Sequence, residues 1–558
     1  MPDPEALIAT HAPLLARARD AARARTYFAA FAESPSTRIW GEAAPAAGRT
    51  AFDALLHQTF PIKTAGAVGL IAPEKPPYGV PLDISYPHLR PEGVDELVRA
   101  AKAALPAWRD AGPALRTAIG IEILTRINAR SFEFAHAVMH TTGQAFVMAF
   151  QAGGAHAHDR GLEAVACAYD AMTQVPAAVS WEKPRGKGEP QRLAKTFTIV
   201  PRGVALVIGC STFPTWNSYP GLFASLVTGN PVIVKPHPHA VLPLALTVGV
   251  ARDVLIEYGF DPELISLSVD DVGEVVASTL ATHPDVRIID YTGSTAYGDW
   301  LEATAVQARV FTEKAGVNCV VVDSTDDLSG LAANLAYSLS LYSGQMCTTP
   351  QTIFIPRGGI ETDRGQTSVA DVVSALRAAL DELLGDPSRA VNMLGAIVND
   401  AVLRRLDEAS NAGEVLIQSR SIEHPEFAGA RVRTPLVVAT RADASAHSHE
   451  CFGPIAFIVE TADTAASLDA WRRTVIASGS LTASVYSTDA DVLAAAHEVA
   501  LDTGVSMSSN LTADTYVNQT VAYSDYHGTG ANRAANATLT DLAFVADRFR
   551  IVESRRAQ

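Results

Sequence analysis

Residues 203 to 234, GVALVIGCSTFPTWNSYPGLFASLVTGNPVIV, carry no charged side chain, and this run constrains the fold more than any other stretch of the chain. It is longer than the roughly 20 residues that span a bilayer. A membrane helix is still the wrong solution, because Pro214, Pro220 and Pro231 each remove a helical hydrogen bond and four glycines are spread among them. Strand, loop, helix and strand in a buried soluble core is the better solution, with VALVIG and PVIVK as strands and a helix around Gly221 to Thr228.

The alternation continues downstream. A helix across 241 to 257, LISLS, a helix across 272 to 280 and VRIIDYTGS form one series. CVVVD at 319 to 323, a helix from 327 to 342, TIFIP, helices at 368 to 384 and 400 to 411, and LTASVYS at 481 to 487 form a second. Such alternation predicts βαβ units, and hence an α/β fold with two parallel-sheet domains. Upstream, residues 94 to 175 read as long helices, with Leu97, Ala101, Leu105 and Trp108 on one face. Residues 1 to 65 are Ala- and Arg-rich and lack the apolar block of a secretory signal, which predicts a helical extension.

Between the early helices and the first strand, Lys183, Arg185, Lys187, Arg192 and Lys195 crowd a segment with Pro and Gly, which reads as a solvated hairpin. The carboxyl end, AFVADRFRIVES at 543 to 554, reads as a strand that pairs with that hairpin or with another subunit.

Composition narrows the partners. Of 558 residues 48% are hydrophobic and 19% charged, so a large core is buried; the net charge of −16 argues against a general binder of nucleic acid or anionic membrane. Five scattered cysteines with no CxxC pair suggest neither a zinc site nor a disulfide framework, and predict a reducing, cytoplasmic setting.

Three segments carry candidate chemistry. Cys347 lies in SGQMCTTP, a small-residue turn after a predicted helix, where backbone N–H groups would favour a thiolate. Glu313 lies in FTEKAGVN, before the CVVVD strand. In IIDYTGSTAYG, Gly293, Ser294 and Gly298 stand at the start of a helix, where backbone N–H groups can meet a phosphate. Taken singly, each has a bland reading as a core thiol, a surface acid or an ordinary turn.

In combination they resemble the aldehyde dehydrogenase superfamily, over nearly the whole chain after residue 65. The segments that carry the resemblance are STFP at 211 to 214, KP at 235 to 236, GSTAYG at 293 to 298, Glu313, GQMC at 344 to 347 and ECFGP at 450 to 454. Thirty-four residues separate Glu313 from Cys347, the family's usual interval.

The resemblance implies a nicotinamide-dependent enzyme in which Cys347 adds to an aldehyde and Glu313 activates the water that hydrolyses the resulting thioester. It implies that Lys235 holds the adenosine ribose, that Ser294 with Gly293 and Gly298 holds the pyrophosphate, and that Glu450 and Phe452 hold the nicotinamide riboside.

Two positions depart from the family. Its N-F-P asparagine, an oxyanion donor, is replaced by Thr212, and losing such a donor can cost about 2.7–4 kcal/mol. Thr212 itself, a neighbour such as Asn217, or the substrate would have to compensate. Where NAD-preferring members carry a glutamate after the Lys-Pro pair, this chain has Pro238, flanked by His237 and His239. That implies NADP, with NAD as the other option.

Within the superfamily, CSTFPTWNSYPGLF, KPHP, TEKAGVN, YHGTGANRAAN and the long amino-terminal extension look most like the PaaN type of phenylacetate-degradation protein. That resemblance implies oxidation of a ring-opened acyl-CoA semialdehyde to its acid by a homodimer or homotetramer. The domains would be an extension at 1 to 65, a cofactor domain at 66 to 312 interrupted by an arm hairpin at 183 to 200, a catalytic domain at 313 to 520, and a carboxyl-terminal segment with an oligomerisation strand at 521 to 558. Two other readings are a CoA-acylating dehydrogenase and a catalytically silent assembly component of the same fold.

Overall fold

The uncharged run folds as a buried βαβ unit: strand Val204–Ile208, helix Pro214–Val227 and strand Val232–Lys235. The helix starts earlier than the sequence suggests. Pro214 occupies its first turn, where a missing N–H costs nothing, and Pro220 is carried inside the helix. The computed structural model that shows this describes residues 2–314, 316–516, 522–523, 532, 538–539 and 541–558. The YHGTGANRAAN segment, residues 526 to 536, lies outside the described residues except for Asn532.

Five parallel strands form the first sheet, in the spatial order Ile265–Leu267, Val232–Lys235, Val204–Ile208, Val286–Gly293 and Arg309–Lys314. The chain's first strand of this sheet is central, so the winding direction reverses between Val204–Ile208 and Val286–Gly293. A crevice opens at such a switch point, outside the carboxyl ends of the strands.

The second sheet has seven strands, in the order Glu414–Ile417, Leu436–Arg441, Ile455–Thr461, Thr352–Pro356, Cys319–Val322, Thr482–Tyr486 and Ser506–Ser509. All neighbours are parallel except the edge pair Glu414–Ile417 and Leu436–Arg441. The chain changes sheet between Lys314 and Cys319, so Glu313 ends the first sheet rather than opening the second. Cys347 precedes Thr352–Pro356. The carboxyl edge of one sheet and the amino edge of the other therefore bound one space.

The amino-terminal extension is not a separate body. Its Leu7, Ala18, Phe31 and Phe52 are buried in the same apolar cluster as Ile119, Leu124, Val207 and Leu226. Ala178–Lys183 and Gln191–Pro201 pair as an antiparallel hairpin, and Phe549–Ala557 of the same chain adds to it as a third strand. The basic residues of this hairpin are solvated and partly paired, Arg192 with Glu182 at 2.6 Å and Lys195 with Glu553 at 3.2 Å.

One buried ion pair ties the carboxyl-terminal segment to the first sheet. Arg548 is wholly buried and donates to both carboxylate oxygens of Asp290, at 2.7 and 2.6 Å, and to Ser225 Oγ at 2.7 Å. Its guanidinium lies between the Phe311 and Phe544 rings. Removing one partner strands the other charge without water, a loss of about 3–5 kcal/mol. Arg548→Ala is therefore expected to lower the thermal unfolding midpoint sharply, whereas Arg555→Ala, on the exposed arm strand, leaves it near the wild-type value.

Candidate active site

The crevice between the two sheets is a cavity of about 570 Å³ whose wall includes Thr212, Lys235, Gly293, Ser294, Glu313, Cys347, Glu450 and Phe452. These residues come from six separate segments, and the fold brings them to one surface. Gly298 is the exception. It is absent from the wall, and a Cβ there would fall 2.5 Å from Lys314 Cγ, so glycine at this position lets helix Thr295–Thr304 pack on strand Arg309–Lys314. Alternation along that strand turns Glu313 toward the cavity and Lys314 toward the helix, where Nζ meets Asp299 at 2.8 Å and Glu302 at 3.1 Å.

The turn before Cys347 is strained. Tyr342 and Ser343 hold left-handed backbone (φ 51° and 49°) ahead of Gly344 at φ 61°, a cost of about 1–3 kcal/mol for each non-glycine residue. Side chains fix it. The Tyr342 hydroxyl donates to Thr142 O, and Ser343 Oγ donates to Leu394 O and Arg433 O at 3.1 and 3.0 Å. Gln345 Nε2 donates to Ala396 O at 3.1 Å, while its Oε1 accepts from Val398 N at 2.8 Å. A Cβ on Gly344 would lie 2.4 Å from Gly453 O, so the glycines of GQMC and ECFGP allow two loops to touch by their backbones.

Two buried amides that sequence reasoning passed over extend this brace. Asn318 Nδ2 donates to Cys347 O at 2.8 Å and Thr349 O at 2.9 Å, while its Oδ1 accepts from Leu481 N and Thr482 N at 3.0 and 3.1 Å. Gln351 Nε2 donates to His449 O at 2.8 Å and its Oε1 accepts from Cys451 N at 2.6 Å, which fixes the loop bearing Glu450. Their signal was present as polar amides at the edges of apolar strands, in GVNCVVV and TTPQTIF.

Glu313 is 2% exposed, and neither carboxylate oxygen meets an N–H or O–H donor among the described residues. Burial pushes the Cys347 thiol well above its usual pKa, and the charge and hydrogen bond of Glu313 push it further; the Arg160 guanidinium pulls it back. Burial also raises Glu450 to about 7, against the pull of Arg405, which itself donates from Nε to Phe452 O at 2.9 Å.

On the cofactor side, Lys235 Nζ lies 2.5 Å from Asp270 Oδ1, another residue missed in the sequence. Ser294 caps helix Thr295–Thr304, its Oγ accepting from Tyr297 N at 3.5 Å. Burial lowers His237, which flanks Pro238, to about 3, and also lowers His239. A buried lysine, a capped helix start at a switch-point crevice and a buried carboxylate at the far end make a set of polar groups that fits a dinucleotide.

The aldehyde dehydrogenase family model matches residues 81–535. The chain belongs to the aldehyde dehydrogenase family. It is similar to the crystal structure of an NAD-dependent aldehyde dehydrogenase from Burkholderia multivorans, with 52% identity, 99% of each chain covered and a TM-score of 0.96. It is also similar to aldehyde dehydrogenase LUC3 of a Fusarium species, 26% identical over 68% of this chain and 74% of the relative. N-succinylglutamate 5-semialdehyde dehydrogenase of Chromobacterium violaceum is 26% identical over 66% of this chain and 72% of the relative. No helix among the described residues is long and apolar enough to cross a membrane.

In an aldehyde dehydrogenase with this electrostatic arrangement, neutralising Glu313 must ease ionisation of Cys347. The rate of Cys347 alkylation by iodoacetamide, followed against pH, is expected to inflect at lower pH in Glu313→Gln than in the wild type. An unchanged or higher inflection would contradict the contact between the two groups.

Proposed function

We propose that this aldehyde dehydrogenase oxidises an aldehyde to the carboxylic acid with NAD⁺, through a thioester on Cys347 that Glu313 helps water to cleave. The observation that carries the reading is the buried pairing of Cys347 with Glu313 on a wall shared with Lys235, Ser294 and Glu450. Glu313 accepts the thiol proton as the sulfur adds to the carbonyl carbon, giving a thiohemiacetal. Bound NAD⁺ supplies the hydride acceptor. Glu313 then releases its proton and takes one from the attacking water, and collapse of the tetrahedral adduct expels the Cys347 thiolate. A CoA-acylating enzyme has no use for a water-activating carboxylate in contact with its thiol. A silent assembly component has no use for the strained turn that presents Cys347.

The cofactor reading is NAD⁺, where the sequence implied NADP with NAD as the other option. A 2′-phosphate beside Lys235 would meet Asp270, Asp271 and Glu274, which line the same cavity, and Lys235 is already neutralised by Asp270. The histidines nearby carry no charge to offset this repulsion. The Burkholderia multivorans relative is itself described as NAD-dependent.

For the substrate, the resemblance of CSTFPTWNSYPGLF, KPHP and TEKAGVN to the PaaN type supports a ring-opened acyl-CoA semialdehyde of phenylacetate degradation. The basic hairpin gives that reading no support as a CoA rim, because Lys183 to Lys195 lie on the arm and Arg192 and Lys195 are paired with acids. The arm exposes Val179, Trp181 and Ile551 on one face, an apolar strip suited to a homodimer or homotetramer. The five free cysteines suit a cytoplasmic setting.

Cys347→Ala is expected to abolish aldehyde oxidation while NAD⁺ still binds; retained wild-type turnover would overturn the reading. Side-by-side kinetics are expected to give a higher kcat/KM for NAD⁺ than for NADP⁺, and the reverse order would reject the cofactor assignment.

A further inference from the structure

Pro238 leaves the segment after Lys235 without a carboxylate, yet the cavity wall that holds this lysine carries three acids from another loop, Asp270, Asp271 and Glu274. The three are not equivalent. Asp271 is exposed, and its Oδ1 turns back to accept from Val272 N at 2.7 Å. Glu274 is engaged elsewhere: its Oε2 accepts from Asp271 N at 3.0 Å and lies 2.8 Å from His88 Nε2. Asp270 alone of the three is buried, at 2% exposed, with Oδ1 2.5 Å from Lys235 Nζ.

The sheet builds this pair. Strands Val232–Lys235 and Ile265–Leu267 run parallel with Val234 opposite Leu267, and Ser268 N continues the ladder by donating to Val234 O at 2.8 Å. Lys235 and Asp270 therefore leave the same carboxyl edge side by side. Leu89 N donates to Val269 O at 2.8 Å, which clamps the chain just before the carboxylate, and Lys235 Nζ also donates to Pro236 O at 3.1 Å.

A carboxylate can accept about four hydrogen bonds, so one lysine uses only part of its capacity. Burial pushes the Asp270 carboxyl above its usual pKa, the Lys235 ammonium pulls it back, and Glu274 adds a smaller push. A buried anion of this kind gains from each further donor, and a ribose hydroxyl is one. In dinucleotide sites an acid on the adenosine 2′-hydroxyl suits NAD, whereas a cation there accommodates the 2′-phosphate of NADP. Here the cation is already committed to the acid, so a phosphate dianion would meet the carboxylate with no free charge to offset it.

We propose that Asp270 is the residue that sets NAD⁺ above NADP⁺ in this enzyme: its carboxylate, oriented by Lys235, accepts the adenosine 2′-hydroxyl and repels a 2′-phosphate. This rests on the reading of the cavity as an NAD⁺ site with Lys235 at the adenosine ribose. Asp271 and Glu274 add repulsion at longer range but take no hydroxyl, because their oxygens are turned to Val272 N, Asp271 N and His88. Selectivity that sequence position 238 does not carry is thus supplied from the neighbouring strand.

Isothermal titration calorimetry of the full chain with NAD⁺, its 2′-deoxyadenosine analogue and NADP⁺ tests this without reference to turnover. The wild type is expected to bind the analogue about 10- to 100-fold more weakly than NAD⁺, the worth of one hydrogen bond to a charged acceptor. In Asp270→Ala, NAD⁺ and the analogue are expected to bind alike, and the affinity for NADP⁺ relative to NAD⁺ to rise by about tenfold or more. The isosteric Asp270→Asn, a check against misfolding, is expected to keep part of the preference for NAD⁺ over the analogue while gaining NADP⁺ affinity. An Asp270 that only supports the fold would weaken NAD⁺ and the analogue equally. That outcome, an analogue that matches NAD⁺ in the wild type, or a larger shift in Asp271→Asn or Glu274→Gln would overturn the proposal. A wild type that binds NADP⁺ more tightly than NAD⁺ would instead remove the cofactor reading on which it rests.

Discussion

The side-chain amide of Asn318 is the interaction on which the reactive wall depends. Standing just before the first strand of the second sheet, it donates to the carbonyls of Cys347 and Thr349 and accepts from the N–H groups of Leu481 and Thr482. Its own carbonyl accepts from Gln351 and Thr352. A single buried side chain thus joins the Cys347 turn to two strands of one sheet. Gln351, fixed by that carbonyl, reaches on to the loop carrying Glu450. Each polar group left unpaired here would cost about 1–3 kcal/mol, so the brace is stable only when complete.

That rigidity supports an arrangement that folding alone disfavours. Three ionisable groups of the cavity, Cys347, Glu450 and Asp270, are pushed by burial toward their neutral forms. Tyr342 and Ser343 carry left-handed backbone in the turn ahead of the thiol. Strain and desolvation concentrated at one place mark where chemistry is done. Their cost is met elsewhere, in the apolar core shared by the amino-terminal extension and the first sheet and in the wholly buried Arg548–Asp290 pair.

Much of this was legible in the residues because the signals were local. The proline-broken apolar run could be buried only as strand, loop, helix and strand, and the alternating blocks after it form two sheets that are parallel but for one edge pair. Motif order brought eight of the nine residues named from sequence to one cavity. What escaped was set by long-range packing. Gly298 reads as a phosphate-loop glycine, but its close neighbour is the aliphatic stem of Lys314 on an adjacent strand. Pro238 with two histidines reads as room for a 2′-phosphate, while Asp270, Asp271 and Glu274 join the same cavity wall from a distant loop. Asn318 and Gln351 act through partners that no spacing rule links to them.

The central claim is that oxidation and hydrolysis meet at one covalent adduct, formed by Cys347 and released through Glu313. Intact-mass spectrometry of Glu313→Gln, mixed with NAD⁺ and excess aldehyde, tests it most directly. The account predicts an acyl group accumulating on the Cys347 peptide after one round of NAD⁺ reduction. Undiminished turnover with no acyl adduct would contradict it.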